Sequence, residues 1–257
     1  LMRTSRPKTN NKTEMLLAGL KDFDSAKTGL PSLQGALDEV TEIKPLADQT
    51  FSKVDFLTEQ RALKSAVKAA LPTVAVAHFA THGFATGDSS GSGSGRSRSA
   101  TIAIRAGDSV HFISAAKNPL LECGLYFAFP SDWKGGASEL PNVLTAEEIV
   151  GLDLSGCNHV TLSACQTGLG QGLNGQGVLG LRSAILSAGA RSILMSLWSI
   201  DDESTRALMK RFYTHLWQDK MPKVEALAKA QQEIRANPRW SDPKYWAGWV
   251  LAGDGWN

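Results

Sequence analysis

The 257-residue sequence holds only three cysteines, Cys123, Cys157 and Cys165. Their number is odd and no two form a CxxC pair, so neither a disulfide framework nor a thiolate zinc site is suggested. With no apolar leader at the start, the chain reads as a reduced, cytosolic protein. Long hydrophobic runs are also missing: none approaches the ~18 apolar residues that a membrane-crossing helix needs. Excess charge of one sign is nearly absent, with 27 Lys and Arg against 25 Asp and Glu. What imbalance there is sits in residues 1–12, where Arg3, Arg6, Lys8 and Lys12 meet no acid. Phosphate binding needs a sustained basic face, so this arm reads as a solvated tail. Neither a nucleic-acid partner nor a membrane is expected.

What is present is ordinary globular material, 42% hydrophobic and 20% charged. The length allows one large domain or two small ones. The chain opens on Leu1, which reads as a piece cut from something longer. The basic arm, residues 1–14, is expected to precede a single domain over 15–255.

Along that domain, strand and helix patterns alternate. Residues 15–19 form a short apolar run, and 33–46 carry apolar residues at helical spacing. Residues 62–71 are an amphipathic helix entered from Thr58 and stopped by Pro72. Residues 74–81 (VAVAHFAT) read as a strand buried on both faces. Residues 87–99 (GDSSGSGSGRSRS) are too rich in Gly and Ser to bury a core, and read as a flexible loop or an engineered substitute for one. Residues 101–113 alternate around Gly107-Asp108 as a hairpin, and 121–129 read as one more strand. Thr145 to Glu148 is a capping box for a helix ending near Gly151. Strands at 159–164 and 191–199 then alternate with helices at 178–188, 201–217 and 224–236, before a Trp-rich end at 245–251. Single helices between strands indicate βαβ units and a mostly parallel sheet.

Sites in such sheets form outside the carboxyl ends of the strands. One strand runs into Thr81-His82-Gly83, and another into Ala164-Cys165-Gln166. A thiol and an imidazole at two strand tips can face each other across a cleft, which is what a cysteine nucleophile requires. Gly83 allows a close backbone approach, so its N–H is a candidate oxyanion donor. A lone buried cysteine and a turn-capping histidine would be the structural alternative.

Three segments carry a family resemblance: HFATHG (78–83), LSACQTG (162–168) and SLWSIDDEST (196–205). Further matches are NPLLECGL (118–125), LTAEEI (144–149), GLRSAILSAGARSIL (180–194) and YWAGWVLAGD (245–254). Together they resemble the CHAT domain, a caspase-like family found beside tetratricopeptide repeats, in the clan of caspases, gingipains and separase. The resemblance implies an α/β three-layer sandwich with a mostly parallel central sheet flanked by helices. It also implies a cysteine endopeptidase with His82 as base and Cys165 as nucleophile, and the backbone N–H groups of Gly83 and Cys165 at the oxyanion. No cofactor is implied. The partners would be a protein substrate and an upstream repeat domain, in a bacterial defence or cell-death pathway with a gasdermin-like or CRISPR-associated target. Two other readings remain open, a catalytically silent scaffold and a nucleotide-binding domain suggested by GQGLNG (170–175). His82 and Cys165 lie 83 positions apart, more than the ~50 of caspases. Ser163 stands where caspases carry Gln, so specificity for Asp is not expected.

Candidate substrate-binding residues are Asp201, Asp202, Ser163 and Trp198. An acid among them could select Lys or Arg by a charge-assisted bond. Asp201 and Asp202 fit a helix cap equally well. Asp22 and Asp24 are weaker pocket candidates. His78 and His82 have zinc-motif spacing, but on a strand they lie about 13 Å apart, too far to share one metal.

Overall fold

The computed structural model describes residues 13–24, 30–85, 101–106, 109–114, 119–121, 123–133, 141–163 and 175–256. The 87–99 loop, the basic arm to residue 12 and the Gly-rich 170–174 stretch fall outside these. The described strands are β1 (Glu14–Gly19), β2 (Lys53–Thr58), β3 (Val76–Ala80), β4 (Gly83–Ala85), β5 (Thr101–Ala106), β6 (Ser109–Ser114), β7 (Cys123–Tyr126), β8 (Val143–Thr145), β9 (His159–Leu162), β10 (Ser192–Ser196) and β11 (Trp249–Gly253). The described α-helices are α1 (Gln34–Thr50), α2 (Lys64–Ala70), α3 (Ala146–Val150), α4 (Gly175–Ser187), α5 (Asp202–Tyr213) and α6 (Lys223–Ala236).

Six strands form the central sheet in the order β11-β10-β9-β3-β1-β2. Every neighbouring pair is parallel except β10 with β11. Alternation along β1 shows why both faces are covered. Leu16 and Ala18 point into a core shared with Val67 of α2, Ile149 of α3 and Ile185 of α4. Met15 and Leu17 point the other way, into a core shared with Val40 and Ile43 of α1, Phe212 of α5 and Ala230 of α6. A strand buried on both sides needs apolar residues at both phases, so MLLA is continuous rather than alternating. The result is a mixed α/β sandwich of three layers.

Two local features set the site. A Cβ on Gly19 would lie 2.5 Å from Val40 Cγ2, so its absence lets α1 press onto the end of β1. After β3 the chain turns directly into β4, which pairs with β7, and β7 pairs in turn with β8 in a small antiparallel sheet. The expected hairpin is β5 with β6, in register from Thr101↔Ser114 to Ala106↔Ser109. The expected capping box is present: Thr145 Oγ1 accepts from the Glu148 N–H at 3.2 Å, and Glu148 accepts from the Thr145 N–H. α1 runs past Pro45 to Thr50, beyond its expected end at 46. The helix expected over 201–217 is α5 followed by a π-helical turn, Thr214–Gln218. No described helix is long and apolar enough to cross a membrane.

Candidate active site

The parallel strands deliver their carboxyl ends to one edge of the sheet, and β3 and β9 are direct neighbours there, with Phe79 opposite Leu162. Thr81 and His82 follow β3. The buried Thr81 hydroxyl donates to the Tyr126 carbonyl, and the Tyr126 N–H donates to the His82 carbonyl at 2.8 Å. These two bonds clamp the backbone of His82 to the start of the small sheet.

The His82 side chain is not on an open surface, where a cleft residue was expected; it is fully buried. The segment after β1 covers it. The Phe23 ring lies 4.5 Å away, centroid to centroid. Nε2 lies 2.9 Å from the Pro31 carbonyl oxygen. A carbonyl only accepts, so Nε2 carries the hydrogen and the neutral ring has its lone pair on Nδ1. Gly83 follows as the first residue of β4, opposite Leu125.

β9 ends at Leu162 rather than Ala164, and Ser163 is the last described residue before Cys165. Cys165 itself lies outside the described residues. The other two thiols, Cys123 and Cys157, are buried in the core.

Ser163 leads to a group that the sequence reading missed. Its hydroxyl donates to Glu39 Oε2 at 2.9 Å. Glu39, on α1, is 3% exposed, a placement that charged residues rarely take without partners. Its other oxygen lies 3.0 Å from His78 Nε2. His78 Nδ1 lies 3.0 Å from the Tyr213 hydroxyl, which lies 2.8 Å from Thr161 Oγ1. Thr161 reaches His159 Nε2 at 3.1 Å, and His159 Nδ1 reaches Ser192 Oγ at 2.9 Å. This polar chain runs between the sheet and the α1/α5 layer. Within it, burial pushes the Tyr213 hydroxyl pKa well above its ordinary value.

Burial also lowers the His159 pKa to about 3, with help from the charges of Lys223 and His78. In the unfolded chain the ring would titrate near its ordinary 6.5. This group's full contribution to stability is therefore present above pH 6.5, and it is lost as pH falls toward the folded value. Linkage puts the loss at about 1.4 kcal/mol per pH unit, or roughly 2 kcal/mol between pH 6.5 and 5. Urea melts at the two pH values should show it in wild type, and a His159→Gln variant should show a flatter acid limb.

The remaining candidates separate into two roles. Asp201 caps α5, accepting from the Ser204 N–H at 3.0 Å. Asp202 instead lines a small cavity with Leu33, Gly35, Ala36, Glu39, Ser163 and Thr205. Its carboxyl pKa is raised by burial and by the charges of Asp201 and Glu39, against an opposing bond from the Gly35 backbone. That bond caps α1 from a different helix, since Leu33 at its N-cap offers no side-chain bond. A Cβ on Gly35 would lie 2.5 Å from Asp202 Oδ2. Gly35→Ala should therefore force the two helix starts apart, and a cavity probe or crystal structure of that variant should find Asp202 displaced. Trp198, after β10, is 43% exposed; its indole N–H donates to the Lys244 carbonyl at 3.0 Å. Its ring lies over Gly248, where a Cβ would meet Trp198 Cε2 at 2.7 Å. Asp22 and Asp24 lie beside Phe23, with the Asp24 N–H bonded to Asp22 Oδ1 at 2.9 Å.

A mostly parallel central sheet sandwiched by helices is the architecture of the caspase-like α/β fold. Structural comparison agrees. The Arg-specific cysteine proteinase gingipain R superposes with a TM-score of 0.55 at 10% identity, over 96% of this chain and 48% of that one. The complex of Porphyromonas gingivalis RgpB pro- and mature domains gives 0.54 at 11% identity, over 96% and 49%. The CHAT domain family model matches residues 1–254, so the chain belongs to the CHAT family. Tetratricopeptide repeat protein 28 of mouse and of human is 30% identical over 111 residues, 43% of this chain. The chain spans about half the length of the gingipain chains and 4% of those repeat proteins.

Proposed function

We propose that this CHAT domain is a cysteine endopeptidase in which Cys165 is the nucleophile and His82 the general base. One observation carries the reading: His82 is buried at the end of β3 with its Nε2–H held by the Pro31 carbonyl, next to the strand that leads to Cys165. With that hydrogen on Nε2, Nδ1 is the basic nitrogen of the ring. The Cys165 thiol gives its proton to that nitrogen, and the thiolate attacks the scissile carbonyl carbon. A C–S bond forms while the C=O π pair moves to oxygen, where the N–H groups of Gly83 and Cys165 are the proposed donors. Collapse breaks the C–N bond, and the amine leaves with the proton from His82. Water then gives a proton to His82 and hydrolyses the thioester, restoring the thiol and releasing a carboxylic acid. The Pro31 carbonyl orients the imidazole and stabilises the imidazolium, the part a carboxylate plays in a triad.

Asp202, beside Ser163 in the cavity, would receive a basic side chain of the substrate, and the exposed Trp198 would offer a further contact. Asp201 is assigned to its helix. The substrate would be a partner protein presented by an upstream repeat domain, in the defence or cell-death setting that the family likeness implies. The match to tetratricopeptide repeat proteins supports the repeat domain. The decisive test is digestion of a peptide library by wild type and Cys165→Ala. Cleavage by wild type alone, with a stated preference, is expected; no cleavage by either would favour a scaffold.

A further inference from the structure

The chain of buried polar groups has a direction. The Ser192 hydroxyl donates to the Asn158 carbonyl at 2.9 Å. Its single proton is then spent, so its oxygen accepts from His159 Nδ1–H. His159 is neutral in its fully buried place, so Nε2 has no hydrogen and accepts from the Thr161 hydroxyl. Thr161 oxygen then accepts from the Tyr213 hydroxyl. Tyr213 oxygen in turn accepts from His78 Nδ1–H. With the Ser192–Asn158 bond kept, reversing any link would require a second proton on His159; turning the Ser192 hydroxyl to His159 Nδ1 would give up that bond and reverse the whole chain.

This count decides what happens at the other end. With Nδ1–H of His78 committed, its Nε2 faces Glu39 Oε1 at 3.0 Å. A bare nitrogen lone pair against a carboxylate oxygen would be repulsive, so one proton lies between them. The contact is within ion-pair distance without counting as a hydrogen bond, as for a close pair of imidazolium and carboxylate. The carboxylate's second oxygen accepts from Ser163. One side chain of α1 thus holds β3 at His78, four residues before His82, and also holds the end of β9 at Ser163, two residues before Cys165.

We propose that Glu39 is a positioning residue: its carboxylate bridges His78 and Ser163 and fixes the relative placement of the two strand ends that carry the dyad. This rests on the peptidase reading for its catalytic consequence, though the bridge itself does not. Both oxygens of Glu39 are engaged by the protein, which leaves Asp202 as the cavity acid free to meet a substrate. Misplacement of reacting groups by about 1 Å can cost roughly 100-fold in rate, and a bridge between neighbouring strand ends acts on that scale.

The experiment compares Glu39→Ala and Glu39→Gln in the full chain. Glutamine keeps both contacts, since its amide can donate to a neutral His78 Nε2 and its carbonyl can accept from Ser163. Glu39→Ala is expected to lower kcat by about 30- to 100-fold with KM within about threefold, and Glu39→Gln to recover most of the loss. Nitrogen-15 NMR of His78 should show two ring N–H groups in wild type and one in Glu39→Gln. A folded Glu39→Ala with wild-type kcat overturns the positioning role. So does a loss that appears in KM for basic substrates only, which would make Glu39 a substrate contact. A His78 ring with no hydrogen on Nε2 in wild type overturns the bridge, and this readout holds if Glu39→Ala fails to fold. Wild-type protein that cleaves nothing, yet shows the two N–H groups and their loss in Glu39→Gln, refutes the peptidase reading and leaves the bridge standing.

Discussion

Cys165→Ala is expected to remove peptide cleavage by roughly 1,000-fold or more, and His82→Ala by a similar factor, with the double variant scarcely worse than either. In the proposed mechanism thiol and imidazole act as one unit, because the thiolate would be the attacking species and the ring would take and return its proton. Once one is gone, the other has no step left to catalyse. Stability separates the two variants. His82 is fully buried, its ring packed on Phe23 and its Nε2–H bonded to Pro31. Truncation leaves that carbonyl without its donor and a hole beside Phe23, at a cost of about 1–3 kcal/mol. Cys165→Ala changes far less volume and is the cleaner test of chemistry. Steady-state cleavage with matched urea melts decides. Equal residual activity in Cys165→Ala and wild type would end the peptidase assignment.

The legibility of this fold in its sequence depended on burial. β1, β3, β9 and β10 are covered on both faces, so their apolar residues occupy both phases, and the few polar ones, such as His78, His159 and Thr161, are buried as well. The parallel order, and the edge where His82 lies, follow from those strands and the helices between them. β2 was missed. It is the edge strand, its residues only partly covered, and KVDFLT has the mixed polarity of a stretch leading into a helix. β4 and β8, three residues each, are too short to show a period. They exist because the Gly83 and Val143 segments pair with β7.

Within the site, His82 was readable because a strand runs into it just before a glycine. Two of its supports were not. Pro31 acts through its backbone carbonyl, which no side-chain pattern records. Glu39 stands in α1 between Asp38 and within reach of Glu42, acids that face Arg206 and Lys210 at the surface. Only the packing of α1 onto β1 at Gly19 turns Glu39 inward to His78. One signal did exist: position 39 precedes Val40 and lies four before Ile43, on the apolar side of the helix. The same packing resolves the pair 201–202. Consecutive helix-start residues point in different directions, so one acid caps its own helix and the other reaches the start of α1.

Asp202→Asn is expected to cut kcat/KM for substrates with Lys or Arg at the cleaved position by about 10- to 100-fold, equivalent to ~1.5–3 kcal/mol for a bond to a charged group. Substrates with Leu or Met there should change far less. Burial and the charges of Asp201 and Glu39 hold the Asp202 carboxyl above its ordinary pKa, so the unliganded pocket lacks a cation able to cancel the shift, Arg206 opposing it only in part. A basic side chain supplies one and favours the ionised form. The sign of the pH effect follows. As pH falls through the raised pKa, Asp202 is protonated, the cation loses its partner, and kcat/KM for basic substrates declines. Neutral substrates should lack that limb, and Asp202→Asn should erase it from the basic ones. The same protonation relieves repulsion with Asp201 and Glu39, so Asp202 by itself should make the folded protein gain stability on that side. Lost affinity and gained stability over one pH range would mark a carboxylate kept for a ligand. Asparagine can still accept from the Gly35 N–H and preserve the cap of α1, so the melting point should hold. Equal losses for basic and neutral substrates, or a lowered melting point with specificity unchanged, would show that Asp202 serves only to join the two helix starts.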